Sequence, residues 1–145
     1  MLLHQQFQGS VTQHLDKVAL VMEGTRSTYA HLSQMVDRLA AALQGRGVKR
    51  GDRVLIFMPN TTEMVVAIFA TLQTGAIFSP ISPQTKADKL RYILSDAAPT
   101  CLITDSRLAS TWEDAIEGIN SLHTIVIAGS YAGHLPIAAT WLPFA

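Results

Sequence analysis

The stretch of sequence that decides the fold is Arg53-Val54-Leu55-Ile56-Phe57-Met58-Pro59-Asn60-Thr61-Thr62-Glu63. Its apolar run, 54–58, is continuous instead of alternating, which is typical of a parallel strand that is covered on both faces. Pro59 ends this strand because proline has no N–H to donate to a sheet. Asn60 and Glu63 then have the spacing of a capping box, which predicts a helix capped by Asn60.

Helices and strands alternate on both sides of this stretch. Thr28 is predicted to cap an amphipathic helix that ends near Gly45. Further strands are predicted at 76–79, 100–104 and 123–127, with helices between them. This order predicts an α/β fold with a mostly parallel sheet and helices on both of its faces.

The N-terminal residues are less regular than the rest. Leu3, Phe7, Val11 and Leu15 have the spacing of one helical stripe, but the pattern around them is weak. The apolar run 18–22 is followed by a turn and a polar segment, which predicts a small N-terminal hairpin.

We predict one α/β subdomain over residues 1–128 and a connector over residues 129–145. The connector contains no Asp, Glu, Lys or Arg, although it includes Trp141 and Phe144. Exposed aromatic side chains favour a partner surface, so we expect the connector to lead towards a missing remainder of the protein and to pack against it.

Charge and cysteine content exclude several classes of protein. The 145 residues include 11 basic and 11 acidic ones, and this zero net charge argues against a nucleic-acid partner. The uncharged run 64–85 is interrupted by Gln73, Gly75 and two prolines, so we predict a buried helix and strand there and no transmembrane segment. The single cysteine, Cys101, cannot form an internal disulfide, which favours a cytoplasmic location.

The loops that follow the predicted strands carry no recognisable phosphate-binding motif. They lack the glycine spacing of dinucleotide sites and the Gly-Lys-Ser/Thr of P-loops, and no histidine pair has the spacing of a zinc site. Asn60, Thr85 and Asp105 are interpreted as helix caps, with a ligand at the carboxyl ends of the strands as the alternative. From these residues alone, no catalytic, cofactor-binding or metal-binding site is assigned.

Six short motifs occur in a specific order between Leu20 and Asp105. They are Thr28-Tyr29-Ala30-His31-Leu32, Gly47-Val48-Lys49-Arg50-Gly51-Asp52-Arg53-Val54, Pro59-Asn60-Thr61-Thr62-Glu63, Leu72-Gln73-Thr74-Gly75-Ala76-Ile77-Phe78-Ser79-Pro80-Ile81-Ser82-Pro83, Tyr92-Ile93-Leu94-Ser95-Asp96 and Leu102-Ile103-Thr104-Asp105. In this order and spacing they resemble the N-terminal region of the AMP-forming acyl ligases, the adenylate-forming superfamily of acyl-CoA synthetases, luciferases and peptide-synthetase adenylation domains. The resemblance implies that the chain is the first subdomain of the large N-terminal domain of such an enzyme.

The resemblance also implies an activity for the parent enzyme. Such an enzyme uses ATP and Mg²⁺ to convert a carboxylic acid into an acyl-adenylate, and then transfers the acyl group to coenzyme A or to the pantetheine of a carrier protein. In this family the loop that ends in Pro-Lys-Gly and cradles the ATP phosphates, the adenine, ribose and magnesium ligands, and the catalytic lysine lie downstream of the matched region. We therefore expect the 145-residue chain alone to be inactive and to hold no cofactor.

Two departures from the family pattern bear on capping and on substrate. His31 stands where the family usually has a glutamate, which concerns the capping of a helix and not catalysis. Ser82 stands where amino-acid-activating adenylation domains usually have an aspartate. Together with Pro59 and Asn60, it favours a carboxylic or fatty acid as the substrate.

Two hypotheses stay open at this point. The chain is either the N-terminal fragment of an acyl-CoA synthetase-like ligase, with an amino-acid-activating adenylation domain as the variant, or a non-catalytic binding and assembly module. In both hypotheses the expected partner is the remainder of the ligase. The second adds self-association through an exposed sheet edge.

Overall fold

The computed structural model describes residues 2–144 as a series of helices and strands. Their bounds, in chain order, are α1 Leu3–Gln13, β1 Val18–Met22, β2 Thr25–Thr28, α2 Tyr29–Gly45, β3 Arg53–Phe57, α3 Thr62–Gln73, β4 Ile77–Ile81, α4 Ala87–Ala97, β5 Cys101–Asp105, α5 Ala109–Ile116, β6 Thr124–Ala128 and β7 Thr140–Pro143. A single 3₁₀ turn, Ser106–Leu108, joins β5 to α5.

The main sheet confirms the predicted α/β fold. Its five strands are all parallel and lie in the order β4-β3-β5-β6-β7. The predicted hairpin is also present, because β1 and β2 form a separate antiparallel pair. No helix in the described residues is long and apolar enough to cross a membrane.

Two apolar layers cover the sheet, one on each face. Val54 and Ile56 of β3 pack in the layer that includes α2 and α3, whereas Leu55 and Phe57 pack in the layer that includes α4 and α5. Successive side chains of a strand point to opposite faces, so a strand covered on both sides needs an apolar residue at every position. This is why the run 54–58 is continuous, and all five of its side chains are fully buried.

Helix α1 lies where the sequence pattern is weak. Its Phe7 ring stacks on that of Phe69 in α3, with centroids 4.5 Å apart, and lies 6.3 Å from that of Tyr29 in α2. Leu15, the last member of the predicted stripe, lies beyond the end of α1 and is exposed. The helix is therefore held by the packing of Phe7 between α2 and α3, because it lacks a complete apolar stripe of its own.

The predicted connector contains a strand that the sequence pattern does not indicate. Residues Thr140–Pro143 pair with β6 in parallel as the fifth strand of the sheet. Between β6 and β7 the chain crosses over without a helix, and the ring of Tyr131 lies 5.2 Å from that of Trp112 and 5.3 Å from that of Trp141. Tyr131 and Phe144 thus pack on the subdomain itself, whereas Trp141 contacts Tyr131 and stays partly exposed. The boundary at residue 128 stays a prediction.

The cap of α3 differs by one residue from the predicted one. The Thr61 hydroxyl, not the Asn60 side chain, accepts the hydrogen bond from the backbone N–H of Met64, at 3.3 Å. The helix begins at Thr62, so Glu63 lies in its first turn, where a carboxylate is stabilised by the helix dipole. Thr85 does not cap α4 either, since the N-cap is Lys86 and no side chain caps this helix.

Two substitutions separate the two assignments of the α3 cap. We expect Thr61→Ala to lower the free energy of unfolding by about 1 kcal/mol, because it removes the capping hydroxyl. Asn60→Ala, at an exposed position, should change it by less than about 0.5 kcal/mol. Urea unfolding of the 145-residue chain measures both values. A larger loss for Asn60→Ala than for Thr61→Ala would contradict the structural assignment.

Candidate functional site

Two adjoining clefts lie at the carboxyl ends of the parallel strands, the edge where open α/β sheets bind ligands. The first, of about 410 Å³, lies between the β1–β2 hairpin and the first turns of α2 and α3. The second, of about 340 Å³, lies at the ends of β5 and β6. Glu63 and Arg107 line both clefts, so we treat the two as one candidate site, the carboxyl-edge cleft.

An ion pair between Asp105 and Arg107 forms the floor of the second cleft. The Arg107 side chain donates from Nε to Oδ1 of Asp105 at 3.0 Å and from Nη2 to Oδ2 at 2.8 Å. The backbone N–H of Arg107 also donates to Oδ1, at 2.8 Å, so Asp105 caps the 3₁₀ turn Ser106–Leu108, whereas α5 itself has no side-chain cap. The guanidinium that faces the cleft therefore already has a carboxylate partner.

Opposing effects act on the pKa of Asp105. Burial of the carboxyl group favours its neutral form, but the hydrogen bonds and the charge of Arg107 outweigh burial and hold the pKa below its ordinary value. The backbone carbonyl of the same residue accepts a hydrogen bond from Trp112 Nε1 at 3.0 Å. Asp105 is thus held by one neighbour through its side chain and by another through its main chain.

Glycine is required where β6 leaves the sheet. Gly129 has a φ of +83°, and a Cβ placed there would collide with Oγ of Ser106. The ends of β5 and β6 therefore meet at this point. The space that a side chain at residue 129 would take is filled by the Ser106 hydroxyl, so Gly129 does not open a cradle for a phosphate group.

The first cleft is lined by polar groups from three elements. Ser27 of β2 is 3% exposed and lines this cleft. His31, in the first turn of α2, and Glu63, in the first turn of α3, lie on the same cleft. The Glu63 carboxylate acts with that of Glu23 to raise the pKa of Arg107 further, after the larger effect of Asp105.

The carboxyl-edge cleft does not fit ATP and Mg²⁺ by itself. Within the described residues there is no group of three or more His, Cys, Asp or Glu side chains that could hold a metal ion. Gly129 is the single glycine that lines the second cleft, and Arg107 is paired with Asp105. A triphosphate needs several backbone N–H groups or free cations directed at it, and this arrangement does not supply them.

Of the three predicted caps, only Asp105 lies in the carboxyl-edge cleft. Asn60 and Thr85 line neither of its parts. Sequence reasoning missed Glu63 and Arg107 as cleft residues. The available signal was the Asp105-Ser106-Arg107 run directly after a buried strand, where a cation two residues from a carboxylate predicts a local ion pair.

Cys101 lies far from this chemistry, in the middle of the core. Its side chain is fully buried, and burial raises the pKa of the thiol far above its ordinary value. A thiol in this state is neither a nucleophile nor a metal ligand, so Cys101 acts as a small apolar core residue.

The Asp105–Arg107 pair makes the stability of the fold depend on acid pH. Because the folded pKa of Asp105 lies below its ordinary value of 3.8, the pair stabilises the fold above that pH, and the contribution is lost as pH falls through the folded pKa. We expect Asp105→Asn to cost about 1 kcal/mol at pH 7 and progressively less below pH 4. Urea unfolding between pH 7 and pH 3 measures this difference. Asp96→Asn, at an exposed position, is the control and should leave the pH profile unchanged. Parallel profiles for the native protein and Asp105→Asn would refute the role of the pair.

Curated relatives come from two classes of enzyme. A long-chain-fatty-acid–CoA ligase of Salmonella typhimurium is 33% identical over 121 residues, which cover 83% of this chain and 22% of the ligase. Malpibaldin synthetase of Mortierella alpina is 38% identical over 99 residues, which cover 68% of this chain and 2% of the synthetase. The chain spans between 1% and 22% of the length of such relatives.

Solved structures with the same fold are also ligases. A protein of Rhodopseudomonas palustris assigned as a long-chain-fatty-acid CoA ligase superposes with a TM-score of 0.83 at 26% identity, covering 99% of this chain and 35% of that one. The anthranilate CoA ligase AuaEII superposes with a TM-score of 0.85 over 90% of this chain and 25% of that one, and its 24% identity supports the fold alone. The model of the AMP-binding enzyme family matches residues 7–136. These findings confirm the resemblance in the sequence motifs: the chain belongs to the AMP-binding enzyme family and corresponds to the N-terminal region of its enzymes.

Proposed function

We propose that this chain is the N-terminal subdomain of an enzyme that activates a carboxylic acid with ATP and Mg²⁺ to an acyl-adenylate and transfers the acyl group to a thiol. The thiol would be coenzyme A or the pantetheine of a carrier protein. The observation that carries the proposal is a family match over residues 7–136 on a fold whose carboxyl-edge cleft lacks its own phosphate and metal ligands.

The proposal assigns a supporting role to the subdomain. Acyl-adenylate formation requires electrostatic stabilisation of the phosphates, which is usually the largest contribution to such catalysis. In the carboxyl-edge cleft the Arg107 guanidinium is neutralised by Asp105, so the chain's own residues do not provide this stabilisation. We infer that the remainder of the ligase, the proposed partner, contributes the ATP-binding loop and the catalytic lysine.

A carboxylic or fatty acid is the proposed substrate class. Ser82 in place of the aspartate of amino-acid-activating domains supports it, as does the 83% of the chain that aligns with the fatty-acid ligase of Salmonella typhimurium. An amino acid is the second candidate. It is supported by the similarity to a dimodular nonribosomal peptide synthase of Bacillus subtilis, which is 30% identical over 112 residues, or 77% of this chain.

A cytoplasmic location belongs to the same proposal. Cys101 is a free and buried thiol, and ATP and coenzyme A are intracellular substrates. Detection of the protein in fractionated cells tests the location. Its recovery in the periplasmic or secreted fraction would contradict the proposal.

The isolated 145-residue chain should show no ATP–pyrophosphate exchange with fatty, aromatic or amino acids, because its cleft lacks phosphate and metal ligands. The full-length fatty-acid ligase of Salmonella typhimurium serves as the positive control in the same assay. Acid-dependent exchange by the isolated chain, above the level of a heat-denatured sample, would contradict the proposed division of labour.

The substrate class requires the polypeptide in which this chain naturally occurs. If its coding sequence runs past Ala145 into a Ser/Thr/Gly-rich loop ending in Pro-Lys-Gly, that polypeptide should catalyse exchange with fatty acids and not with amino acids. Exchange that depends only on amino acids would establish the second candidate instead. A coding sequence without such a loop would refute the proposal and favour a binding and assembly module.

A further inference from the structure

Each outer strand of the five-stranded sheet contains one proline. Pro80 lies in β4 at one edge, and Pro143 lies in β7 at the other. The three inner strands, β3, β5 and β6, contain none. Proline has no backbone N–H, so its effect depends on whether its nitrogen faces the neighbouring strand or the free edge.

In β4 the proline faces the free edge. The backbone N–H of Ile77 donates to the carbonyl of Asp52 at 2.8 Å, so the backbone groups of Ile77 point towards β3. Along a parallel strand, the backbone N–H and C=O groups of successive residues point alternately to one neighbour and to the other. The backbone groups of Ser79 and Ile81 therefore also point towards β3. The backbone groups of Phe78 and Pro80 therefore point towards the free edge, and the missing N–H of Pro80 costs no hydrogen bond within the sheet.

In β7 the same argument applies to Pro143. The N–H of Thr140 donates to the carbonyl of His123 at 3.1 Å, and the N–H of Phe144 donates to that of Ile127 at 3.0 Å. The backbone groups of the even-numbered residues of this strand therefore point towards β6. The backbone groups of Trp141 and Pro143 point towards the free edge. Each edge strand thus keeps one outward N–H, that of Phe78 or that of Trp141.

Both edges would otherwise favour the addition of another strand. Each carries an exposed apolar side chain, Ile77 at 53% and Trp141 at 37%, next to unpaired backbone groups. Exposed apolar edges are the usual templates for intermolecular strand pairing, and outward prolines are one way in which proteins prevent it. A strand added beside β4 could accept a hydrogen bond from the N–H of Phe78 but none from Pro80. A strand added beside β7 could accept one from the N–H of Trp141 but none from Pro143.

We propose that Pro80 and Pro143 close the two edges of the sheet against the addition of a strand from a second copy of this chain. The inference goes beyond the proposed function and does not rest on it. It also bears on the self-association that the sequence suggests, because it rules out a sheet edge as its route. Any contact between two copies of this chain would then involve the helical faces, the β1–β2 hairpin or the carboxyl-edge cleft.

The test compares the native chain with the double variant Pro80→Val/Pro143→Val in sedimentation velocity over a hundredfold range of concentration. The native chain should stay monomeric, whereas the variant regains one outward N–H at each edge and should at least double its weight-average mass at high concentration. Pro136→Val is the matched control, because Pro136 is exposed and lies outside the helices and strands, and it should stay monomeric. A folded double variant that stays monomeric would overturn the proposal.

Hydrogen exchange on the native chain gives an answer that does not depend on the variants. The amides of Phe78 and Trp141 should exchange at the same rate at low and high concentration, because no second strand pairs with them. Slower exchange of either amide at high concentration, together with a dimer in sedimentation, would show that the edges pair despite their prolines and would overturn the proposal.

Discussion

Burial of the inner strands on both faces is the constraint on which the rest of this structure depends. Strands β5 and β6 are buried at every residue, and β3 at every residue after Arg53. A polar side chain can lie there only if it finds a partner inside the sheet. Thr104 meets this condition, since its hydroxyl donates to the Phe57 carbonyl at 2.6 Å. Polar chemistry is consequently restricted to the ends of the strands.

The carboxyl ends illustrate both the potential and the limits of this arrangement. Strand β5 ends at Asp105, and the 3₁₀ turn after it and the first turn of α3 bring Arg107 and Glu63 into the same cleft. The result is a polar cleft in which the cation and the nearest carboxylate satisfy each other. Such a cleft can contribute shape and hydrogen bonds to a neighbouring active site. Its one arginine is paired with Asp105, and the described residues offer no group of three or more His, Cys, Asp or Glu side chains for a metal ion.

Much of the fold could be predicted from the sequence, because the spacing of apolar residues indicates which faces of a helix or strand are buried. The continuous run 54–58 and the similar runs of β5 and β6 predicted the parallel sheet. The errors occurred where local patterns compete. Asn60 and Thr61 are both good capping residues one position apart, and the geometry of the chain after Pro59 selects Thr61. Strand β7 is four residues long and contains a proline, so its pattern resembles a loop.

By itself, the sequence determined the order of the elements, the two-sided burial of the sheet and the family. These properties depend on apolar periodicity and on motif spacing, which are local features of the sequence. Tertiary structure alone decided the position of β7 beside β6, the pairing of Arg107 with Asp105 and the outward direction of both edge prolines. The physical reason is that the direction of hydrogen bonds and the choice of neighbouring strands depend on which segments pair in the folded chain. The local sequence pattern does not specify that pairing.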